Sequence, residues 1–191
     1  MTKTILTLCI LALSACALSA QAPAAAPPAN PLSSEIKQAY DRVANNLLAM
    51  AVKMPEEHYA FKPVPEIRSF AGTLGHTIDY QMRICAMANG GTAQATAANM
   101  TAKAELVAAM KAAMAECDKA FGSLTDATAV QLSSSGRGAA RSKLGTLYGM
   151  VIHDNEEYGY LAVHLRLKGI VPPSSEGGGM GGMRGAPAPG R

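Results

Sequence analysis

The stretch of sequence that decides the fold spans residues 140–168 and reads ARSKLGTLYGMVIHDNEEYGYLAVHLRLK. Apolar residues recur in it at intervals of three and four, which is the spacing of one face of an α-helix. Gly169 follows the last periodic residue, and Pro172 and Pro173 prevent the helix from resuming. The segment therefore predicts one long amphipathic helix.

Three segments upstream carry the same helical period, and they cover residues 34–53, 69–89 and 101–121. A serine of the pair Ser33-Ser34 is the predicted N-cap of the first segment, and Ser69 and Thr101 are the predicted N-caps of the other two. Each helix of roughly 20 residues is about 30 Å long at 1.5 Å per residue. The pattern predicts an all-α protein with a four-helix bundle over residues 32–175.

The N-terminus predicts a secretory signal peptide over residues 1–20. Lys3 supplies its positive end, residues 5–13 form a short apolar core, and small residues continue to Ala20. Two processing routes stay open. Cleavage after Ala20 would release a soluble protein, whereas the LSAC sequence ending at Cys16 (residues 13–16) is similar to a bacterial lipobox, in which the cysteine is lipidated.

Two low-complexity segments flank the predicted bundle. Residues 21–31 form an Ala/Pro-rich linker, and residues 176–191 form a Gly/Met/Arg tail that cannot bury a core and is predicted to be disordered. We therefore expect an exported protein, periplasmic or secreted, with a lipid anchor if Cys16 is modified. That compartment is oxidising, so the two cysteines of the bundle can form a disulfide.

Those cysteines bear on the topology. Cys85 lies 16 residues after Ser69, and Cys117 lies 16 residues after Thr101. In parallel helices the two sulfurs would be level, whereas in an antiparallel pair with a short turn they would be about 15 Å or more apart, too far for a disulfide. Two buried free thiols are the alternative. Export favours the disulfide and so a parallel second and third helix, and the long connections between the helices permit the crossovers that this requires.

Composition excludes several classes of function. The chain has 191 residues, of which 49% are hydrophobic and 16% charged, with a formal net charge of +3. Without Lys3 and the tail, which has two arginines and one glutamate, the charge is near +1. A near-neutral protein with 5% aromatic residues is a poor candidate for nucleic-acid binding. After the N-terminus no apolar run reaches the length of a membrane span.

The residues that could carry chemistry lie on the second and fourth predicted helices. His153 and Glu157 are four residues apart, so their side chains share a face and can hold one metal ion. A solvated surface pair is the alternative. Tyr160 continues the same polar stripe. His76 shares a face of the second helix with Asp79, and it can join the pair if the small, polar side of that helix faces the fourth.

Two longer motifs resemble the DinB/YfiT-like superfamily, over about residues 33–175. KMPEEHYAFKP (residues 53–63) and RSFAGTLGH (68–76) are similar to its first half, and HDNEEYG (153–159) with LRLKGIVPPSS (165–175) to its end. The resemblance implies a four-helix bundle with long crossovers that binds a divalent metal through three histidines. Some members are thiol-dependent S-transferases or isomerases, and many have no known activity.

The resemblance implies His76, His153 and Glu157 as the metal ligands, with Glu157 in place of the usual third histidine. Two histidines with one carboxylate suit zinc, iron(II) or manganese, and nickel is the fourth candidate. Asp79 and Tyr160 are expected to lie next to these ligands, without binding the metal themselves, and to help orient them.

Two functions follow for a protein of this kind. The first is a metal-dependent transferase or hydrolase of a small electrophilic substrate, with open positions on the ion for water and substrate. The second is a non-catalytic envelope bundle with a degenerate metal site. A tightly bound, stoichiometric metal would distinguish them. A homodimer is compatible with either, because helix bundles often pair.

Overall fold

A computed structural model of the protein describes residues 29–133 and 139–176. Four long helices dominate this part of the chain, which confirms the predicted all-α class. The elements are α1 (Pro31–Lys53), α2 (Phe70–Ala88), α3 (Lys103–Gly122), α4 (Asp126–Ala129), β1 (Leu132–Ser133), β2 (Arg141–Ser142) and α5 (Lys143–Leu167). The two short strands pair antiparallel. Single 3-10 turns lie at Glu56–His58, Ala97–Asn99 and Pro173–Ser175.

Several predictions concern residues outside those described. They are the signal peptide over residues 1–20, the lipobox at 13–16 with Cys16, residues 21–28 of the linker and residues 177–191 of the tail. The predicted linker overlaps α1 at Pro31, because the fixed φ of proline suits the first turn of a helix. Among the described helices, none is both long enough and apolar enough to cross a membrane.

The long helices form a square in which the neighbouring pairs are α1–α3, α3–α2, α2–α5 and α5–α1. Lys103 at the start of α3 donates to the carbonyls of Val52 and Met54 at the end of α1, so these two helices are antiparallel. A ring nitrogen of His164, near the end of α5, lies 3.1 Å from the carbonyl oxygen of Arg68, just before α2. α5 and α2 are therefore also antiparallel. Since α1 and α2 occupy opposite corners, the connection between them crosses the diagonal of the bundle.

Helices α2 and α3 are parallel, as predicted. Cys85 and Cys117 form a disulfide with their Cα atoms 4.8 Å apart. Asn89, the residue after α2, donates to the side chain and the carbonyl of Glu116 in the last third of α3. Because both helices run in the same direction, residues 89–102 must return along the bundle. This is the long crossover that the predicted disulfide requires.

The helix ends confirm some of the predicted stop and start signals. Gly90 and Gly169 follow α2 and α5 with φ values of +82° and +72°, a left-handed conformation that glycine adopts without steric cost. The predicted N-cap Ser69 accepts a hydrogen bond from the backbone N–H of Gly72. Inside the bundle, Tyr40 of α1 stacks on Phe121 of α3 at 4.5 Å between ring centroids.

The predicted cap of α1 is wrong. The helix begins at Pro31, so Ser33 lies within its first turn. The backbone N–H and the hydroxyl of Ser33 both donate to Asp126, at 2.8 Å each, and the N–H of Leu32 donates to the same carboxylate at 3.2 Å. α1 is therefore capped by a side chain 93 positions later in the chain. No local pattern in residues 30–34 could have revealed such a partner.

Two further predictions need correction. α3 begins at Lys103, and its N-cap is Ala102, which makes no side-chain cap, rather than Thr101. Residues 122–139, which lie between the third and fourth predicted helices and whose Ser, Thr and Gly content predicts a loop, contain the short helix α4 and strand β1. Thr125 and Thr128 form the capping box of α4, each side chain bonding the other's backbone N–H. This reciprocal pair stabilises one helical turn in a segment whose composition favours a loop.

Candidate metal centre

Three polar side chains of α2 and α5 converge in the middle of the bundle. The Nε2 atoms of His76 and His153 are 3.2 Å apart, and each lies 3.6 Å from Oε1 of Glu157. The exposed fraction of the side chain is 37% for His76, 19% for His153 and 6% for Glu157. The structure thus brings the three predicted ligands together, and the cluster can be reached from the His76 side.

The cluster has the size and chemistry that a cation requires. A tetrahedral ion with bonds of about 2.0–2.2 Å separates its ligand atoms by roughly 3.3–3.6 Å, close to the three distances observed. Two imidazoles and one carboxylate form a donor set that catalytic zinc sites use, and it also suits iron(II) and manganese. The buried Oε2 of Glu157 has no hydrogen-bond partner among the described residues. These side chains could therefore hold one divalent ion.

Close packing against the 3-10 turn between α2 and α3 places His76. A Cβ added to Gly75 would lie 2.4 Å from the carbonyl oxygen of Ala97, so only glycine allows this approach. Asp79, one turn after Gly75 on the same helix, accepts hydrogen bonds from the backbone N–H groups of Ala97 and Ala98 at 2.8 and 2.9 Å. Both carboxylate oxygens of Asp79 hold the turn, and its charge opposes, without outweighing, the burial that lowers the pKa of His76.

An aromatic stack and a buried carboxylate place His153. The ring of Tyr80 stacks on the imidazole at 4.0 Å between centroids, and the guanidinium of Arg83 lies 5.2 Å from the Tyr80 centroid. On the core side, Nδ1 of His153 lies 3.6 Å from Oδ1 of Asp154. Tyr80 thus packs against the face of the ring. Nδ1 of the ring faces Asp154, whereas Nε2 faces the other two residues of the cluster.

Asp154 and Gln81 are fully buried beside the site. The side-chain amide of Gln81 donates to Oδ2 of Asp154 at 2.8 Å. Within the described part of the chain, Oε1 of Gln81, Oδ1 of Asp154 and Nδ1 of His153 lack hydrogen-bond partners. Buried polar atoms are normally paired, so this group of three is unusual.

Sequence reasoning missed both Asp154 and Gln81, although a signal was present. Gln81 lies on the apolar stripe of α2 between Ile78 and Cys85, and Asp154 lies on that of α5, one turn after Met150. A polar side chain at a core position is costly unless it has a partner. Its appearance within an apolar stripe could have marked each residue as functional.

Burial shifts the protonation of the cluster. Burial, and after it the charge of Arg68, lowers the pKa of His76 below its usual 6.5. Burial raises the pKa of Glu157 above 4.5, against the lowering effect of the neighbouring His153. Burial also raises the pKa of Asp154 above 3.8. These shifts favour neutral groups, and a divalent ion would offset them by stabilising the carboxylates as anions.

A cleft of about 460 Å³ opens beside Glu157. The other side chains that line it are Glu66, Ile67, Arg68, Thr73 and Tyr160. Tyr160 is 51% exposed, and its hydroxyl donates to Glu156 at 3.1 Å. The predicted supporting residue Tyr160 therefore lies in the wall of the cleft. A small molecule in this cleft would meet the Glu157 side of the cluster.

Comparison with known proteins points to one family. The model of the DinB superfamily matches residues 39–161, a range that contains all three residues of the cluster. No curated protein gives a significant sequence match. Among solved structures, the crystal structure of a DinB-like protein from Bacillus cereus ATCC 10987 is similar, with a TM-score of 0.62 and 14% identity. The match covers 73% of this chain and 95% of that one, and at this identity it shows the shared fold.

Proposed function

The chain belongs to the DinB superfamily, and from this premise we propose that it binds one divalent cation through His76, His153 and Glu157. We propose further that it is a transferase or hydrolase of a small electrophilic molecule. The observation that carries the proposal is the triangle of two Nε2 atoms and one carboxylate oxygen, with sides of 3.2, 3.6 and 3.6 Å. Two antiparallel helices supply these atoms from a rigid scaffold.

The cleft beside Glu157 supports a small-molecule substrate. A bound divalent cation supplies Lewis acidity, which polarises an electrophile or lowers the pKa of a coordinated water or thiol. The protein's own residues bind and orient the substrate: Thr73 and Tyr160 offer hydroxyl groups, and Arg68 offers a positive charge in the same wall. The volume of about 460 Å³ is typical of sites for small ligands.

The first test is the metal content of the full chain, purified without chelators and measured by elemental mass spectrometry. The variants are His153→Ala and Glu157→Ala, and His58→Ala serves as a matched control because His58 lies outside the cluster. We expect about one ion per chain in the parent and the control, and loss of that ion in both cluster variants. If the parent binds none after incubation with zinc, iron(II), manganese and nickel, the metalloenzyme is excluded and a non-catalytic bundle is left.

We also propose that the protein is exported, either cleaved after Ala20 or lipidated on Cys16. The buried disulfide between Cys85 and Cys117 supports this, since disulfides persist mainly in oxidising compartments. Intact-mass measurement of the full chain made in a bacterium with two membranes tests it. Loss of residues 1–20, or a diacylated Cys16 as the new N-terminus, is expected. An uncleaved cytoplasmic chain with two free thiols in the bundle would overturn it.

A further inference from the structure

A line of buried polar side chains leads to the metal cluster, through residues to which neither the family match nor the cluster itself gives a role. The amide of Gln81 donates to Oδ2 of Asp154, and Oδ1 of Asp154 lies 3.6 Å from Nδ1 of His153. Gln81 and Asp154 are fully buried. The line ends at the ring nitrogen that faces away from the cluster.

The two nitrogens of His153 have different surroundings. Nε2 faces His76 and Glu157, whereas Nδ1 faces the carboxylate of Asp154. Stacking of Tyr80 at 4.0 Å restricts rotation of the ring. A proton on Nδ1 leaves the lone pair on Nε2, which is the atom that a cation needs. The position of one proton therefore decides whether His153 can act as a ligand.

We propose that Asp154, held in place by Gln81, is a positioning residue that keeps the proton of His153 on Nδ1 and the lone pair on Nε2. Histidines that bind metals commonly donate their other N–H to a carboxylate, which fixes the tautomer and raises the basicity of the ligand. Nδ1 of His153 and Oδ1 of Asp154 lie 3.6 Å apart, and neither atom has a hydrogen-bond partner among the described residues. The proposal rests on the proposed function for what Nε2 binds, and on the geometry alone for the tautomer.

Packing does not explain an aspartate at this position. Its neighbours on the core stripe of α5 include Met150 and Leu161, both fully buried. A leucine would continue that stripe without the cost of burying a carboxylate. Gln81 explains only one of the two oxygens, since Oδ1 has no hydrogen-bond partner in the described part of the chain. The candidate partner for Oδ1 is Nδ1 of His153, which also lacks a hydrogen-bond partner among the described residues and lies 3.6 Å away.

The test combines two readouts on the full chain. The first is the ¹⁵N chemical shifts of the His153 ring in the metal-free protein, which report the tautomer directly. The second is the Kd for Co²⁺, followed by its visible absorption, with Zn²⁺ measured by competition. Asp154→Leu removes the acceptor, and Asp154→Asn keeps an oxygen acceptor without the charge. Asp41→Asn on α1, where Asp41 pairs with the half-exposed Lys37, is the matched control.

We expect the neutral His153 ring to carry its proton on Nδ1 in the parent and in Asp41→Asn. In Asp154→Leu the proton moves toward Nε2 and the Kd for Co²⁺ rises about 10- to 100-fold. Asp154→Asn lies between the two, and it serves as the deciding variant if Asp154→Leu does not fold. An Nε2–H tautomer in the parent, or unchanged Co²⁺ affinity in folded Asp154 variants, would overturn the proposal. If the parent binds no metal, the proposed function fails, while the tautomer still decides the role of Asp154.

Discussion

The Nε2 atoms of His76 and His153 lie 3.2 Å apart, although the two residues are 77 positions apart in the sequence. They belong to the antiparallel helices α2 and α5, whose packing brings them to the same level of the bundle. Two neutral imidazole nitrogens at this distance can share one proton, so that one donates and the other accepts. A cation between them lets both use their lone pairs, and Glu157 adds a third ligand atom at 3.6 Å from each.

Replacing Glu157 with histidine should preserve the site and change its preference. The family resemblance implies that the third ligand position, which Glu157 occupies in this chain, usually carries a histidine. We expect Glu157→His to bind one divalent ion per chain but to favour zinc and nickel over manganese, because imidazole is a softer ligand than carboxylate. Metal content after dialysis against an equimolar mixture measures this preference. Glu156→His, on the exposed neighbour, should keep the parent's preference, and an unchanged preference in Glu157→His would contradict the ligand assignment.

The disulfide should contribute strongly to stability. Cys85 and Cys117 are 32 positions apart. In the chain-entropy model, a disulfide that closes a loop of this length lowers the entropy of the unfolded chain and so raises the free energy of unfolding by about 4 kcal/mol. We expect the double variant Cys85→Ala/Cys117→Ala to lower the free energy of unfolding by roughly 2–4 kcal/mol in urea titrations. Reductant should lower the stability of the parent and leave that of the double variant unchanged. A parent whose midpoint ignores reductant would show that the bond contributes nothing.

Two glycines in helices should respond oppositely to alanine. At Gly75 the new Cβ would lie 2.4 Å from the carbonyl oxygen of Ala97, and backbone atoms must move, so we expect a loss of about 1–3 kcal/mol. At Gly159 none of the described atoms lies within 4 Å of the new Cβ, and alanine is the better helix former by about 0.5–1 kcal/mol. Thermal unfolding of both variants measures the contrast. Equal shifts in Tm would mean that the 3-10 turn does not pack tightly on α2.

Asp154→Asn should stabilise the metal-free protein at neutral pH. Burial raises the pKa of Asp154 above 3.8, so its contribution to stability is complete below about pH 3.8 and is lost as the pH rises through the higher folded value. Asparagine is neutral throughout and avoids this loss. We expect a gain on the order of 1–3 kcal/mol at about pH 7, which shrinks toward pH 4. Urea unfolding in EDTA across this range measures it, and a parent more stable than Asp154→Asn at pH 7 would show that the carboxylate is compensated without metal.

Much of the fold could be predicted from local pattern. The apolar period of 3.6 residues located all four long helices, and glycine marked the ends of α2 and α5, because these signals depend on residues close together in the chain. The cysteine spacing also predicted the parallel pair, since equal distances from two helix starts become equal heights in the bundle. His76, His153 and Glu157 were found by their spacing and by family resemblance.

The parts that escaped prediction depend on distant residues. Asp126 caps α1 across 93 positions, and no property of residues 30–34 encodes that contact. Gln81 and Asp154 meet only because α2 packs against α5, so each on its own reads as an exception in an apolar stripe. Asp79 binds the turn at Ala97 for the same reason. Such contacts follow from the tertiary arrangement, which a single sequence specifies only as a whole.

The first helix of the described part of the chain depends on residues that are synthesised much later. Asp126 binds the N–H groups at the start of α1, and Lys103 binds the carbonyls at its end. A helix whose terminal groups lack partners frays. We expect the N–H of Ser33 to gain protection late in pulse-labelled hydrogen exchange during refolding, and early protection would contradict this. The apolar face of α1 packs on α3 and α5, so a nascent chain, which emerges from its N-terminus, carries that face uncovered until both of these later helices have been synthesised.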